Sequence, residues 1–182
     1  MPLPTNFKWS SGKNALIGSL ADYLITQIPD ETFDFDNPML PLKLPSYGVA
    51  EVGLFNLSPI AFEHFMGYKN GLPLYGRKNQ TLMEISAWDD VSLHSNAVGK
   101  VRQMRDKVVY LLYNAGRVND VGVFVLPPIK LKDYSGVSPV EIGVIELDIA
   151  DNSINEKFIV DPINQNIKMY KLLVRMNWYE YL

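Results

Sequence analysis

The sequence contains no cysteine and only two histidines among its 182 residues. Disulfide bonds and zinc–thiolate sites are therefore excluded, and the disulfide frameworks of small secreted domains are excluded with them. No apolar stretch approaches the roughly 20 residues that a membrane-spanning helix needs. The opening residues, MPLPTNFK, lack the basic and apolar segments of a signal peptide. We therefore expect a soluble protein that is made and used, or assembled, in a reducing compartment.

The chain also lacks a strong excess of charge of either sign. It carries 17 lysines and arginines against 20 aspartates and glutamates, a net charge of −3. Dedicated nucleic-acid binders need an excess of positive charge to neutralise phosphates, so this class is disfavoured. The hydrophobic content of 47% is typical of a packed globular protein. The length suits a single domain covering residues 1–182.

Motifs of common enzyme classes are missing as well. The sequence has no nucleophile elbow, phosphate-binding glycine loop or dinucleotide fingerprint. Asp89, Asp90 and His94 could meet where a strand leads into a helix, and two carboxylates with an imidazole can hold a divalent metal. Aspartate and serine are equally ordinary turn residues at such a corner. We expect no catalytic residue, no cofactor and no resident metal.

Two segments show the apolar periodicity of amphipathic helices. The first covers residues 14–28, and the second, residues 96–115, repeats apolar residues without a break. Ser95 is the expected N-cap of the second helix, and Gly116 is the expected left-handed residue after it. The polar face of that helix carries Lys100, Arg102, Arg105 and Lys107 against one acid, Asp106. Such a face is either solvated or a surface for an acidic partner.

Strand patterns lie between and after the helices. Residues 47–57 and 80–88 are the first two strand candidates. The glycine- and proline-rich stretch joining them, residues 58–79, is expected to be a long loop that packs on a neighbouring surface. Further strands are expected at residues 121–126, 145–149 and 157–160, with a long terminal strand at 168–182 inside the sheet.

This order of elements predicts an α+β fold. A mainly antiparallel sheet carries two helices packed on one face, and the long loop projects from it. Aromatic residues make up 12% of the chain, and aromatics and arginine are the residues that anchor protein interfaces. The candidate interface residues are Phe62, Phe65, Tyr68, Tyr75, Lys100, Arg102, Arg105, Tyr179 and Tyr181.

The layout resembles the tail terminator proteins of long-tailed bacteriophages. Most of the resemblance lies in residues 80–117, which contain the strand TLMEISAW and the long helix, with support from the first helix and from LLVRMNW near the end. It covers most of the chain as an order of elements and rests on no signature motif. The middle excursion and residues 131–155 are longer than in the smaller family members, and this difference leaves room for another neck or connector role.

The resemblance implies a structural role in the virion. Such proteins form a homo-oligomeric ring, typically hexameric, that caps the head-proximal end of the tail tube and ends its polymerisation. The implied partners are the tail tube protein and head-completion, neck or sheath proteins, with no membrane. DNA would pass through the ring without specific binding. The implied location is the head-proximal end of the virion tail, after assembly in the host cytoplasm.

An enzymatic alternative rests on three acids in strand-like segments. Glu141, Glu146 and Asp148 could hold a metal in a small metal-dependent nuclease. The lysine that commonly accompanies such acids is missing after Asp148. That gap and the acidic net charge favour the assembly role over the nuclease.

Overall fold

The computed structural model describes residues 12–28, 32–34, 46–51, 60–134, 136–148 and 154–181. Within these residues the chain forms two helices and eight strands. In chain order they are α1 (Gly12–Gln27), β1 (Thr32–Asp34), β2 (Ser46–Glu51), β3 (Ile60–Lys69), β4 (Leu72–Asp90), α2 (Ala97–Asn114), β5 (Ile129–Asp133), β6 (Val140–Leu147), β7 (Ile154–Val160) and β8 (Ile167–Tyr181).

The two longest strands, β4 and β8, form the centre of one sheet. They pair antiparallel along most of their length, from Gly76 opposite Tyr181 to Asp90 opposite Ile167. The other edge of β4 pairs with β2 and β3, while the other edge of β8 pairs with β6 and β7. The outer strands are β5, beside β6, and β1, which pairs parallel with β2. The predicted α+β class with a mainly antiparallel sheet is confirmed.

Both helices pack on the same face of this sheet. Because side chains alternate along a strand, Met83 and Ile85 of β4 share that face with Leu172 and Val174 of β8. All four are buried in one apolar core together with the inner faces of α1 and α2. Removing each such side chain from water contributes about 1.5–3 kcal/mol before conformational entropy is subtracted. The prediction of two helices on one face is confirmed.

The helix boundaries differ from the prediction by small amounts. The first helix begins two residues earlier than predicted and ends at Gln27. Among the described residues, the N-cap position of α2 is Asn96 rather than Ser95, and its side chain makes no capping hydrogen bond. Gly116 has φ +69°, as expected for a residue that ends a helix in the left-handed region.

Within the stretch 58–79, where the sequence predicted a long loop, residues 60–79 form a β-hairpin. Strand β3 pairs with the first part of β4 around a tight turn at Asn70 and Gly71. Both residues have positive φ, 54° and 80°, which suits the two central positions of a hairpin turn. The prediction was wrong because Gly71 and Pro73 indicated a loop, whereas they lie at the turn and at the projecting end of a strand.

The segment after α2 also differs from the prediction, because a predicted strand is a loop. Residues 121–126 form a compact loop rather than a strand, with two isolated bridges, Ala115 to Leu126 and Val118 to Phe124. The terminal strand lies inside the sheet as predicted, between β4 on one side and β6 and β7 on the other. The last part of the predicted 47–57 strand, residues 52–57, lies outside the described residues.

Candidate interaction surfaces

The tip of the β3–β4 hairpin projects past the end of the sheet. Pairing between β4 and β8 starts at Gly76, so residues 72–75 extend beyond it. Large side chains at this tip are exposed: Tyr68 by 74%, Leu72 by 71% and Tyr75 by 41%. Two interface candidates from the sequence, Tyr68 and Tyr75, therefore both lie on this projecting element.

Three further interface candidates lie on strands of the sheet. Phe62 and Phe65 lie on β3 and Tyr181 is the last residue of β8. The backbone register places Phe65 opposite Tyr75, and Tyr181 opposite Gly76. The side chains of Phe62, Phe65 and Tyr181 are outside the described part of the structure.

The basic residues of α2 divide into two groups. Arg102 and Lys107 are exposed and Lys100 is half-buried on the outward side of the helix. Arg105 is instead engaged within the chain, because its Nη1 lies 3.3 Å from Glu156 of β7 and its guanidinium lies 5.4 Å from the ring centre of Tyr170 on β8. Arg105 thus joins α2 to the sheet and does not belong to an open basic stripe.

Tyr179, another interface candidate from the sequence, interacts with side chains of its own sheet. It lies in β8 and is 8% exposed. Its hydroxyl makes a hydrogen bond with Glu146 of β6. Burial raises the pKa of the Tyr179 phenol, and the negative charges of Glu146 and Asp148 raise it further. The phenol is therefore neutral at physiological pH and forms part of the sheet's structure.

The three acids of the nuclease alternative each interact with other side chains of the sheet. Glu141 accepts a 3.0 Å hydrogen bond from Lys130 of β5, and Glu146 interacts with Tyr179. Asp148 accepts a 3.0 Å hydrogen bond from the amide of Gln80. In the part of the chain that the structure describes, no three histidine, aspartate or glutamate side chains are grouped to hold a metal ion.

The corner between β4 and α2 does bring Asp89, Asp90 and His94 together. Asp89 is fully buried, and its Oδ1 lies 2.7 Å from His94 Nδ1. The Asp90 carboxylate accepts hydrogen bonds from the Ser92 backbone N–H at 2.7 Å and the Ser92 hydroxyl at 2.6 Å. These bonds lower the pKa of Asp90. The group therefore shapes the turn that starts α2.

Among the described residues, the loop after α2 carries the most large exposed apolar side chains, and the sequence did not identify it. Val118, Val121, Val123, Phe124 and Val125 expose between 44% and 80% of their surfaces. The alternating valines predicted a strand, but the turn residues Asn119, Asp120 and Gly122 interrupt that pattern. Weighting those turn residues above the alternation would have identified the loop.

The character of the helices and the comparisons with known proteins add no further functional assignment. Within the described ranges, neither helix combines the length and the apolar character that crossing a membrane requires. No model of a known protein family and no curated protein matches the chain.

Proposed function

We propose that this chain is a structural assembly protein of a bacteriophage tail. Its copies form a ring that caps the head-proximal end of the tail tube, ends tube polymerisation and offers a surface for head joining. The proposal is supported by the order of elements, in which a helix, paired strands, a long helix and a long terminal strand follow one another as in the terminator proteins that the sequence resembles.

The observation that carries the proposal is that two elements each present a cluster of large exposed apolar side chains. One is the tip of the β3–β4 hairpin and the other is the loop after α2. A ring built from identical subunits in head-to-tail contact needs two different complementary patches on each subunit. Exposed aromatic and apolar clusters are typical of such contacts.

The proposed partners follow from this role. They are further copies of the chain, the tail tube protein, and head-completion, neck or sheath proteins. The net charge of −3 favours passage of DNA through the ring without tight binding, because the phosphates meet little excess positive charge.

The proposal is tested by measuring the mass of the full chain by light scattering over a concentration series and by imaging any large species. A closed ring of several subunits is expected. The protein is then added to tail tube protein from the same phage during polymerisation, where it should stop tube growth. Tubes that grow to the same lengths with and without the chain would refute the capping role.

The nuclease alternative has its own decisive assay. The full chain is incubated with DNA and a divalent metal, alongside the variant Glu146→Ala. Under the assembly proposal, neither protein cleaves. Cleavage by the natural chain that Glu146→Ala abolishes would overturn the proposal.

A further inference from the structure

The outer strands of the sheet differ in how they are protected against pairing with another chain. An open strand edge carries unpaired backbone N–H and C=O groups, which bulges or a covering helix usually shield. Strand β3 has two register shifts along its pairing with β4. On β5, the Lys132 N–H donates a 2.8 Å hydrogen bond to the Ser19 hydroxyl of α1. Neither of these strands is suited to receive a further strand.

Strand β7 is the contrasting edge. It pairs with β8 over all seven of its residues, Ile154–Val160, without a register shift. Within the described ranges no strand pairs with its other edge, and most of its residues are exposed. The strand is held in place, because Glu156 lies 3.3 Å from Arg105 of α2. The Phe158 ring also lies 5.1 Å from that of Tyr170, measured between centres. Such a fixed edge loses little conformational freedom when a strand is added.

Strand β1 has the second open edge. It pairs with β2 on one side, and among the described strands none pairs with its other side. One row of directly paired residues crosses the sheet from β7 to β1, and its members are Lys157, Lys171, Ser86, Gly48 and Asp34. The next row runs from Phe158 to Phe33. The two open edges therefore lie at opposite ends of the same rows.

The directions of the two strands also suit each other. Strand β1 is parallel to β2, whereas β2 and β4, β4 and β8, and β8 and β7 are antiparallel pairs. Strands β1 and β7 therefore run in opposite directions. A second copy placed beside β7, with its helices on the same side of the sheet, brings its own β1 alongside as an antiparallel strand. Each row then continues from one copy into the next without an offset.

The residues that become opposite each other in this arrangement are complementary. Lys157 is exposed, and its neighbour in the row is another cation, Lys171. Continuing the row places Asp34 of the second copy on the other side of Lys157. The next row places Phe33 of the second copy opposite Phe158, which is 40% exposed. Opposite charges and aromatic pairs are the cross-strand combinations that stabilise antiparallel sheets.

We propose that the open edge of β7 pairs with the β1 edge of a second copy of this chain, so that the sheet continues from one subunit to the next. The two edges are different surfaces, so the contact is head-to-tail, as a ring of identical subunits requires. Because β1 has only three residues, the edges set the register and direction of the contact rather than most of its area. This inference rests on the proposed ring and names the strands through which neighbouring subunits pair.

The first test exchanges the charges of one row in the full chain. Asp34→Lys and Lys157→Asp each place like charges opposite each other in neighbouring copies. Each should weaken self-association, measured by light scattering, by roughly three- to tenfold. The double variant Asp34→Lys/Lys157→Asp restores an opposite pair and should associate like the natural chain. The two residues lie at opposite edges of one sheet, so this recovery requires contact between copies. A double variant that associates no better than the weaker single variant overturns the inference.

The matched control for charge is Arg102→Asp. It makes the same change of charge as Lys157→Asp at an exposed position on α2, away from both edges. Association of Arg102→Asp should equal that of the natural chain, and the deficit of Lys157→Asp should shrink as salt is added. If Arg102→Asp weakens association as much as Lys157→Asp, the effect comes from net charge and the proposed pairing is refuted.

The absence of cysteine allows a direct test of the register. A protein carrying Thr32→Cys is mixed with one carrying Ile159→Cys and the mixture is oxidised. These positions end the row that follows Phe33 and Phe158, so pairing brings them within the distance that a disulfide spans. Disulfide-linked dimers with one copy of each protein are expected.

The control for the register replaces Ile159→Cys with Asn155→Cys. Asn155 lies on the same face of β7 but in another row, so few mixed dimers are expected. Equal linkage at both positions would overturn the inference, because it would show contact without a defined register. Efficient homodimers of Ile159→Cys would show a two-fold contact between β7 edges and would overturn it as well.

The same measurements separate the inference from the proposed ring. If the natural chain forms closed rings that neither charge reversal weakens and the cysteine pair does not link, the inference fails and the ring stands. If the cysteine pair links specifically but the copies form open chains, the inference stands and the ring fails. A natural chain that stays monomeric and unlinked at every concentration contradicts the inference.

Discussion

The β4–β8 strand pair meets the helices on one face and carries charged and polar side chains on the other. On the helix face, Met83 and Leu172 are buried among other apolar side chains. On the opposite face, the Glu84 carboxylate accepts a 2.7 Å hydrogen bond from Lys171 and a 2.9 Å bond from the Ser86 hydroxyl. Trp88 is fully buried on this second face, beside Ile167 and Met169. Buried side chains occur on both faces, but those on the second face include charged and polar residues as well as apolar ones.

The difference shows that burial in this sheet has two physical origins. On the helix face, stability depends on apolar area and close packing, which are non-directional. On the opposite face, Glu84 is 7% exposed and its charge is tolerated because a partner of opposite charge and a hydroxyl satisfy it. Substitutions on the two faces should therefore lower the free energy of unfolding for different reasons and by different amounts.

The largest effect is expected from truncating an apolar side chain on the helix face. Leu172 is 2% exposed, so Leu172→Ala leaves a cavity and should lower the free energy of unfolding by about 2–5 kcal/mol. Denaturant unfolding of the full chain measures this loss. Leu72→Ala, at a residue 71% exposed on the hairpin tip, is the control and should cost far less. Equal losses would contradict the assignment of this face as the main core.

A smaller effect is expected from removing one partner of the ion pair on the opposite face. Lys171→Met leaves the Glu84 carboxylate without its cation, which should cost about 2 kcal/mol, between the values for exposed and fully buried pairs. The double variant Glu84→Gln/Lys171→Met should recover much of that loss, because no unpaired charge remains. A double-mutant cycle measured by denaturant unfolding checks this, and strictly additive losses would show that the two side chains do not interact.

The smallest effect concerns acid stability at the end of β4 that leads into α2. The pKa of Asp90 is lower in the folded chain than the usual 3.8. Its contribution to the free energy of unfolding is therefore present above pH 3.8 and is lost as the pH falls through the lowered pKa. Ser92→Ala removes the hydroxyl that donates to Asp90 and should reduce this acid-sensitive contribution. Unfolding measured between neutral and strongly acidic pH tests the change. An unaltered pH profile in Ser92→Ala would show that Ser92 does not set the pKa of Asp90.

Much of the fold could be predicted from local sequence patterns. The 3.6-residue periodicity predicted α2 to within one residue at each end, and the alternation in residues 80–88 predicted the correct two faces of β4. These patterns are reliable because each records the burial of one side of a single element. The position of Gly116 after α2 was predictable for the same local reason.

The errors arose where a local pattern had two possible structures. Glycine and proline in residues 58–79 are compatible with either a loop or a hairpin, and the pairing of β3 with β4 decides between them. The alternating valines of residues 121–125 are compatible with a strand, but two backbone hydrogen bonds to the Asn119 side chain hold them in a loop. Local patterns also do not predict the contacts of two candidate interface residues. The burial of Tyr179 and the ion pair of Arg105 depend on β6, β7 and β8, which are distant in sequence from α2.

By itself the amino-acid sequence determined the α+β class, both helices, the faces of β4 and the placement of the terminal strand inside the sheet. These features follow from periodicity and composition, which act over short stretches of chain. Only the tertiary structure decided which polar residues became buried partners, as with Glu84 and Lys171, which are 87 positions apart in sequence. It also decided which apolar residues stayed exposed, since exposure depends on what the remainder of the chain covers.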